Sequence, residues 1–199
     1  MSRVRCPTDY ISELTSQCLY DQLQISGEPA RRTLTFFSWP VGMGNPIKTF
    51  LHTNQLQSSQ LPTPQVFQAT RLNALFLRDG KPLGLHETGL YGKTHIEFVV
   101  AQKIYWSGPA WLCASPFALF ATPKEDIPTL KETHGIEWDR VGAYLGDQVF
   151  RRDDPNCRYT GILIEYGAPF YVRGNVYSDV NEQVDLAIHI DGTIERPVQ

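Results

Sequence analysis

The sequence predicts an all-β fold, an antiparallel β-sandwich built as a single jelly roll with a short N-terminal helix or arm. Runs of β-branched and aromatic residues recur between turns, and the 199 residues include 14 Pro and 15 Gly. Strands do not alternate with helical segments, which argues against a parallel sheet. The predicted loops are long, and long crossing connections are typical of a jelly roll rather than of an up-and-down barrel.

The N-terminal segment has the best helical spacing in the chain. Apolar residues recur at intervals of three and four along residues 8–23, and a Gly-Glu-Pro sequence follows soon afterwards. We therefore predict two parts. Residues 1–32 would form an N-terminal arm with a short helix outside the main body, and residues 33–199 would form the jelly-roll domain.

The spacing of apolar residues changes to a period of two after the arm. Residues 33–39 (TLTFFSW) predict the first strand of the domain. Residues 40–64 contain four Pro and two Gly and predict a long loop. Residues 65–78 predict the next strand, and Asp79-Gly80 predicts the turn that ends it.

The middle of the chain is less regular. Residues 95–106 predict two strands or one long bent strand, and Ser107-Gly108-Pro109 predicts a turn. Residues 110–121 are apolar enough for a strand buried on both faces, but they are too few to span a bilayer. Residues 122–142 predict a polar loop, and residues 143–151 predict a further strand.

The last third has the clearest β pattern. Runs of strand-forming residues cover 160–166, 170–177 and 184–190. Asp191-Gly192 predicts a tight turn into a final strand at 193–198. The whole chain then has about eight to ten short strands, enough for two packed antiparallel sheets.

Charge and cysteine content exclude several classes of protein. The net charge of −3 argues against a dedicated nucleic-acid binder, because such proteins present a basic face. The N-terminus lacks the apolar stretch of a secretory signal. The four cysteines are scattered without C-x-x-C spacing, which favours reduced thiols in a protein made in the cytosol.

The motifs that could support catalysis are incomplete. Gly92-Lys93-Thr94 resembles the end of a phosphate-binding loop, but Glu87 stands where that motif needs glycine. His189 and Asp191 share a strand face, as in an iron site, but too few residues follow to supply another ligand. No G-x-S-x-G elbow is present. We therefore predict that the protein is not an enzyme and has no cofactor and no metal.

Two other functions stay open at this point. A jelly-roll metalloenzyme would use His86, His95 or His189 as ligands. A carbohydrate-binding sandwich would use exposed rings among the four Trp and nine Tyr residues.

Four stretches of the chain have a familiar order. They are SSQLPTPQVF at 58–67, preceded by Thr53-Asn54, then HIEFVVAQKIYWSGPAWLCASP at 95–116, GAPFYVRGNVY at 167–177 and VDLAIHIDGTIERPVQ at 184–199. In this order they resemble the jelly-roll capsid proteins of tailless icosahedral bacteriophages. The resemblance covers roughly residues 33–199.

The chain departs from that family in two ways. Family major capsid proteins often have two jelly rolls, and 199 residues suffice for one. Ser59 stands where the family usually has glycine before Gln-Leu-Pro, which matters if the position needs a positive φ.

The resemblance implies that the protein works by assembly, as a coat protein made in the host cytoplasm and located in the virion. Its partners would be copies of itself and other virion proteins, contacted through loops and the N-terminal arm. The mild acidity implies that another protein or an internal membrane neutralises genome charge, without strong direct nucleic-acid binding.

The proline-marked loop and the start of the next strand supply the candidate interface residues. They are Asn54, Gln60, Leu61, Pro62, Pro64 and Phe67. We expect Leu61 and Phe67 to be buried. We expect residues 53–64 to lie against another part of the protein or against a neighbour.

Overall fold

A computed structural model describes residues 12–27, 32–85, 88–114 and 161–197. In these ranges the chain is mostly β-strand. The strands are β1 (Ser12–Gly27), β2 (Arg32–Phe36), β3 (Val66–Arg78), β4 (Lys81–Pro82), β5 (Thr94–Val100), β6 (Lys103–Pro109), β7 (Ile162–Ile164), β8 (Phe170–Val176) and β9 (Val180–Pro197). A one-turn helix α1 covers Leu90–Lys93, and a 3₁₀ turn covers Ala110–Cys113.

The strands form two antiparallel sheets. The larger sheet has the order β1-β9-β3-β4, and β7 also pairs with β3. The smaller sheet has the order β2-β8-β5-β6. A single hydrophobic core takes buried side chains from both sheets. An added Cβ at Gly174 of the smaller sheet would lie 3.6 Å from Leu186 Cδ2 of the larger one. The predicted all-β antiparallel sandwich is confirmed.

The core forms because alternate residues along each strand point inward. Strand β8 is the clearest case, since Phe170, Val172, Gly174 and Val176 are buried and the residues between them are half-buried. The same alternation places Leu186, Ile188 and Ile190 of β9 on the inner face of the larger sheet.

The predicted N-terminal helix is wrong for residues 12–23, which form most of strand β1. β1 pairs with β9 along its length, with Leu19 opposite Ile190 and Ile25 opposite Val184. An interval of four residues returns to the same side of a helix and also to the same face of a strand. The long partner β9 therefore decides between the two. This part of the predicted arm belongs to the sandwich, and residues 8–11 lie outside the described residues.

The predicted turn at Asp191-Gly192 is also wrong, because both residues lie within the continuous strand β9. β3 has an irregularity between Ala69 and Arg71, opposite these two residues. An added Cβ at Gly192 would lie 2.1 Å from the Gln68 carbonyl oxygen. Glycine is therefore needed here for the close approach of β3, and it does not mark a turn.

Other turns and strands have mixed outcomes. The turn at Asp79-Gly80 is confirmed between β3 and β4. Ser107-Gly108-Pro109 lies inside β6, so the turn predicted there is wrong. The chain reverses instead at Ala101-Gln102, where both φ angles are positive (47° and 69°), as a two-residue hairpin requires. The start of the strand predicted at 110–121 is a 3₁₀ turn. The predictions for 122–142 and 143–151 lie outside the described residues.

Candidate functional site

The long connection between β2 and β3, residues 37–65, is the most distinctive part of the described chain, and we call it the edge loop. β1 and β2 are the end strands of the two sheets, and the edge loop lies along β1. The amide of Gln22 donates to the His52 carbonyl at 2.8 Å, and the amide of Asn54 donates to the Tyr20 carbonyl at 3.3 Å. The loop therefore covers the middle of an otherwise unpaired strand edge.

Asn54 extends this pairing with its side chain. Its Oδ1 accepts a hydrogen bond from the Tyr20 amide at 3.0 Å, and its Nδ2 donates to the Cys18 carbonyl at 2.7 Å. The hydroxyl of Thr53 donates to the same Tyr20 carbonyl at 3.1 Å. An amide side chain offers a donor and an acceptor together, so Asn54 substitutes for a strand backbone.

A buried ion pair joins the edge loop to β1. The Asp21 side chain is fully buried, and its carboxylate accepts a hydrogen bond from Lys48 Nζ. The carboxylate also accepts the amide hydrogens of Phe37 at 2.6 Å and Gln22 at 3.1 Å. Burial raises the pKa of Asp21, while Lys48 and the two amides oppose that rise. One carboxylate therefore connects β1, the start of the loop and its middle.

Sequence reasoning missed this pair. Asp21 and Lys48 are 27 residues apart, so no local motif connects them. A single acidic residue on the inward face of a strand would have indicated a buried partner. That signal was hidden because the segment was predicted to be a helix.

Two residues of the edge loop have left-handed backbone, one at its start and one nearer its end. Phe37 has φ +67° and Ser59 has φ +53°. The Ser59 amide donates to the Phe37 carbonyl at 2.8 Å, and the Phe170 amide donates to the Ser59 carbonyl at 2.9 Å. Ser59, where the resemblance raised the question of a positive φ, therefore does take one, in a residue that is not glycine.

The expected burial of Leu61 and Phe67 is confirmed, with exposures of 2% and 0%. The expectation that residues 53–64 contact another part of the protein is confirmed by their bonds to β1. The six candidate interface residues divide into three sets: Asn54 bound to β1, Leu61 and Phe67 in the core, and Gln60, Pro62 and Pro64 with surface exposed to different extents. A role for any of them in contacts with a neighbour stays a prediction.

The edge loop exposes an unusual number of large apolar side chains, which we call the apolar rim. It consists of Trp39 (51% exposed), Met43 (54%), Ile47 (66%), Phe50 (63%), Leu51 (84%) and Leu56 (63%). Contiguous exposed apolar patches often mark interaction sites, whereas single scattered apolar residues do not. Sequence reasoning predicted a long loop at residues 40–64 and missed its apolar surface.

The backbone beneath the apolar rim is held in place by hydrogen bonds. The Gly42 amide donates to the Lys48 carbonyl at 2.8 Å, and the Lys48 amide donates to the Met43 carbonyl at 2.9 Å. The Val41 amide donates to the Gln55 carbonyl at 2.9 Å. The backbone that carries the rim side chains is therefore held in one conformation by hydrogen bonds within the loop.

A cavity of about 260 Å³ lies where the edge loop meets β1 and the start of β9. Trp39 and Asn45 line it from the loop, Gln22 from β1, and Asp185 from β9. The Gln22 side chain donates to the Asp185 carboxylate at 2.9 Å. This is a small cavity of mixed polar and apolar lining, with one indole wall.

Two of the residues proposed for metal chemistry, His189 and His95, lie in different sheets. His189 lies in the larger sheet with its ring edge-on to Tyr20, at 6.4 Å between centroids, and burial lowers its pKa. His95 lies in the smaller sheet beside Ser107, at 3.1 Å. His86 is outside the described residues. Among the residues that the structure describes, no group of three His, Cys, Asp or Glu side chains could hold a metal ion.

Two cysteine thiols are kept protonated by their surroundings. Burial and the nearby Asp191 carboxylate raise the pKa of Cys18 to about 12. Burial also raises the pKa of Cys113, which is 2% exposed, as expected for an inert core thiol. Neither environment favours a nucleophilic thiolate.

In the described ranges, no helix has the length and apolar character needed to cross a membrane. Comparison with known proteins found no matching family model, no similar curated protein and no similar solved structure. Functional inference therefore depends on the fold and the edge loop.

Proposed function

We propose that this chain is a coat protein subunit of a tailless icosahedral virus or phage, built as a single jelly roll that assembles through its edge loop. The observation that carries the proposal is the apolar rim, six large hydrophobic side chains exposed on one ordered loop. Its occupant is a neighbouring copy of this chain.

The strand pairing supports the single jelly roll. When the two-residue strand β4 is left out, eight strands remain in the part of the chain that the structure describes. The first pairs with the last (β1–β9), the second with the seventh (β2–β8), the third with the sixth (β3–β7) and the fourth with the fifth (β5–β6). An eight-stranded antiparallel ribbon that rolls into two sheets has this nested order. The pairs β3–β9 and β5–β8 then join the rolled ribbon into two sheets.

The size of the apolar rim fits a subunit interface. At on the order of 100 Å² for each half-exposed large side chain, the six expose roughly 600 Å². A stable interface buries about 800 Å² on each partner, so the rim would supply most of one.

The charge of the loop favours a protein partner of similar character. Lys48 is the one Lys, Arg, Asp or Glu between residues 39 and 56, and it is buried against Asp21. The rim therefore presents no cation to phosphate groups of nucleic acid or lipid. An uncharged apolar surface is typical of the centre of an interface between copies of one chain.

The resemblance to phage capsid proteins supports the remaining parts of the proposal. It implies a location in the virion, synthesis in the host cytoplasm, and other virion proteins or an internal membrane as further partners. It also implies a role without catalysis.

Assembly can be tested with a rim variant and a matched control. Phe50→Ser/Leu51→Ser removes two rim side chains, and Ile104→Ser removes an exposed apolar side chain of β6, outside the edge loop. Light scattering and negative-stain microscopy should show oligomers or particles for the wild type and the control, and monomers for the rim variant. A wild type that is monomeric at all protein and salt concentrations would refute the proposal. A rim variant that assembles normally would exclude the rim as the interface. In a separate vesicle-binding assay, a rim variant that binds lipid vesicles as tightly as the wild type would exclude a membrane as the partner of the rim.

A further inference from the structure

We propose that the cavity beside Trp39 binds one ring of a saccharide. Three separate segments form this cavity: β1, the edge loop and the start of β9. Its polar lining consists mainly of amides and one carboxylate, from Gln22, Gln24, Asn45, Gln183 and Asp185.

Trp39 supplies the apolar wall. Its side chain is 51% exposed, so one part of the indole is free while the other is packed. Gly44 lies against it, since an added Cβ there would be 3.5 Å from both Cβ and Cγ of Trp39. A sugar ring has a face of C–H groups, and that face stacks on an aromatic ring.

The polar groups suit hydroxyls. The Asp185 carboxylate is already oriented by the hydrogen bond from Gln22 Nε2 at 2.9 Å. The His52 ring is oriented too, because its Nδ1 accepts the Thr49 amide hydrogen at 3.2 Å. Carboxylate and amide groups can together accept from and donate to the hydroxyls of a polyol, and little reorganisation is required on binding.

The same groups argue against other ligand classes. Lys48 also lines the cavity, but its ammonium is paired with Asp21, so an anion would meet Asp185 without a free cation to balance it. An apolar ligand would leave the amides without hydrogen bonds. The volume of about 260 Å³ is below the roughly 300 Å³ at which pockets for drug-sized ligands begin, which fits a single ring.

This site overlaps the proposed assembly contact at one residue. Of the six rim residues, Trp39 alone lines the cavity. Binding can therefore be measured on the Phe50→Ser/Leu51→Ser variant, in which two other rim side chains are altered and Trp39 is retained. Failure of assembly and failure of saccharide binding would be distinct results.

Binding can be tested by saturation-transfer-difference NMR with glucose, galactose, mannose, N-acetylglucosamine and N-acetylgalactosamine, and with inorganic phosphate as the anionic probe. We expect at least one sugar to bind with a dissociation constant on the order of 1 mM, as for small ligands with few atoms. Trp39→Ala should weaken binding at least tenfold, and Trp39→Phe should retain part of it. Tyr177→Ala, at another exposed aromatic residue, should leave binding unchanged.

Three results would overturn the proposal. The first is a folded wild type that binds none of the five sugars. The second is sugar binding that survives Trp39→Ala while the melting curve of the variant matches that of the wild type. The third is binding of phosphate in preference to every sugar.

Discussion

Removal of Lys48 should destabilise the protein far more than removal of an exposed cation. Lys48→Met keeps the length of the side chain but takes away the cation beside Asp21. The carboxylate keeps the amide hydrogens of Phe37 and Gln22, at 2.6 and 3.1 Å. It would then be a charged group, fully buried, with no positive partner.

Two independent estimates give the loss of stability expected for Lys48→Met. A buried charge that loses its partner costs about 3–5 kcal/mol. The carboxyl can instead take up a proton and become neutral. Protonating a group of unfolded pKa 3.8 at pH 7 costs about 1.4 kcal/mol for each pH unit between the two values, or roughly 4 kcal/mol. We therefore expect Lys48→Met to lower the free energy of unfolding by about 3–4 kcal/mol at pH 7.

The pH dependence of the variant gives a second readout. Burial already raises the pKa of Asp21, and loss of Lys48 removes the charge that opposes this rise. A carboxyl with a raised pKa binds more protons in the folded state than in the unfolded state, so its folded form gains stability as the pH falls. Lys48→Met should recover up to about 3 kcal/mol between pH 7 and pH 5.

The double variant separates the charge from the hydrogen bonds. Asp21→Asn/Lys48→Met restores neutrality, and the Asn side chain can still accept the Phe37 amide hydrogen. Replacing both charges of a buried pair is often close to neutral, so we expect this variant within about 1 kcal/mol of the wild type. The two substitutions should therefore be strongly non-additive.

Urea unfolding at pH 7 and pH 5 measures all these variants. Arg78→Met is the matched control, because Arg78 pairs with Glu182 at 2.6 Å but both side chains are largely exposed (44% and 63%). It should cost less than about 1 kcal/mol. The reasoning fails if Lys48→Met costs no more than Arg78→Met, or if the Lys48→Met variant becomes less stable as the pH falls.

Three further substitutions test other parts of the structure. Gly192→Ala should cost about 3 kcal/mol or prevent folding, because its Cβ would lie 2.1 Å from the Gln68 carbonyl oxygen. Gly92→Ala, with open space around the added Cβ, should melt like the wild type. Ser59→Gly should raise stability by about 0.5 kcal/mol, since φ is +53° there, and a lower melting temperature would contradict the assigned strain. Burial lowers the pKa of His189 from 6.5, so its folded form binds fewer protons and wild-type stability should decline as the pH falls below 6.5. His189→Gln should reduce that decline by up to about 1 kcal/mol in urea unfolding, and an unchanged pH profile would contradict it.

Strands with one buried face could be predicted closely from the sequence. Residues 65–78 were predicted as a strand, and β3 covers Val66–Arg78. Residues 170–177 were predicted as a strand, and β8 covers Phe170–Val176. The prediction succeeds because a half-buried strand repeats its apolar residues with a period of two, and that period is visible locally.

Elements decided by distant partners could not be predicted. The apolar spacing of β1 fits a helix or a strand, and β9, more than 150 residues away, selects the strand. Asp191-Gly192 has the composition of a hairpin turn, but pairing with β3 keeps it extended. In both cases hydrogen bonds across the sheet outweigh a weak local preference.

The sequence by itself determined the antiparallel sandwich and the burial of Leu61 and Phe67. It could not determine which apolar side chains of the edge loop face water. Phe37 and Trp39 are two residues apart, yet Phe37 is fully buried beside Phe170 and Trp39 is 51% exposed. Only the tertiary structure decides this, because the exposure of a loop side chain depends on which distant segments fold over it. The buried Asp21–Lys48 pair holds the loop on β1, and so helps determine which of its faces is left exposed.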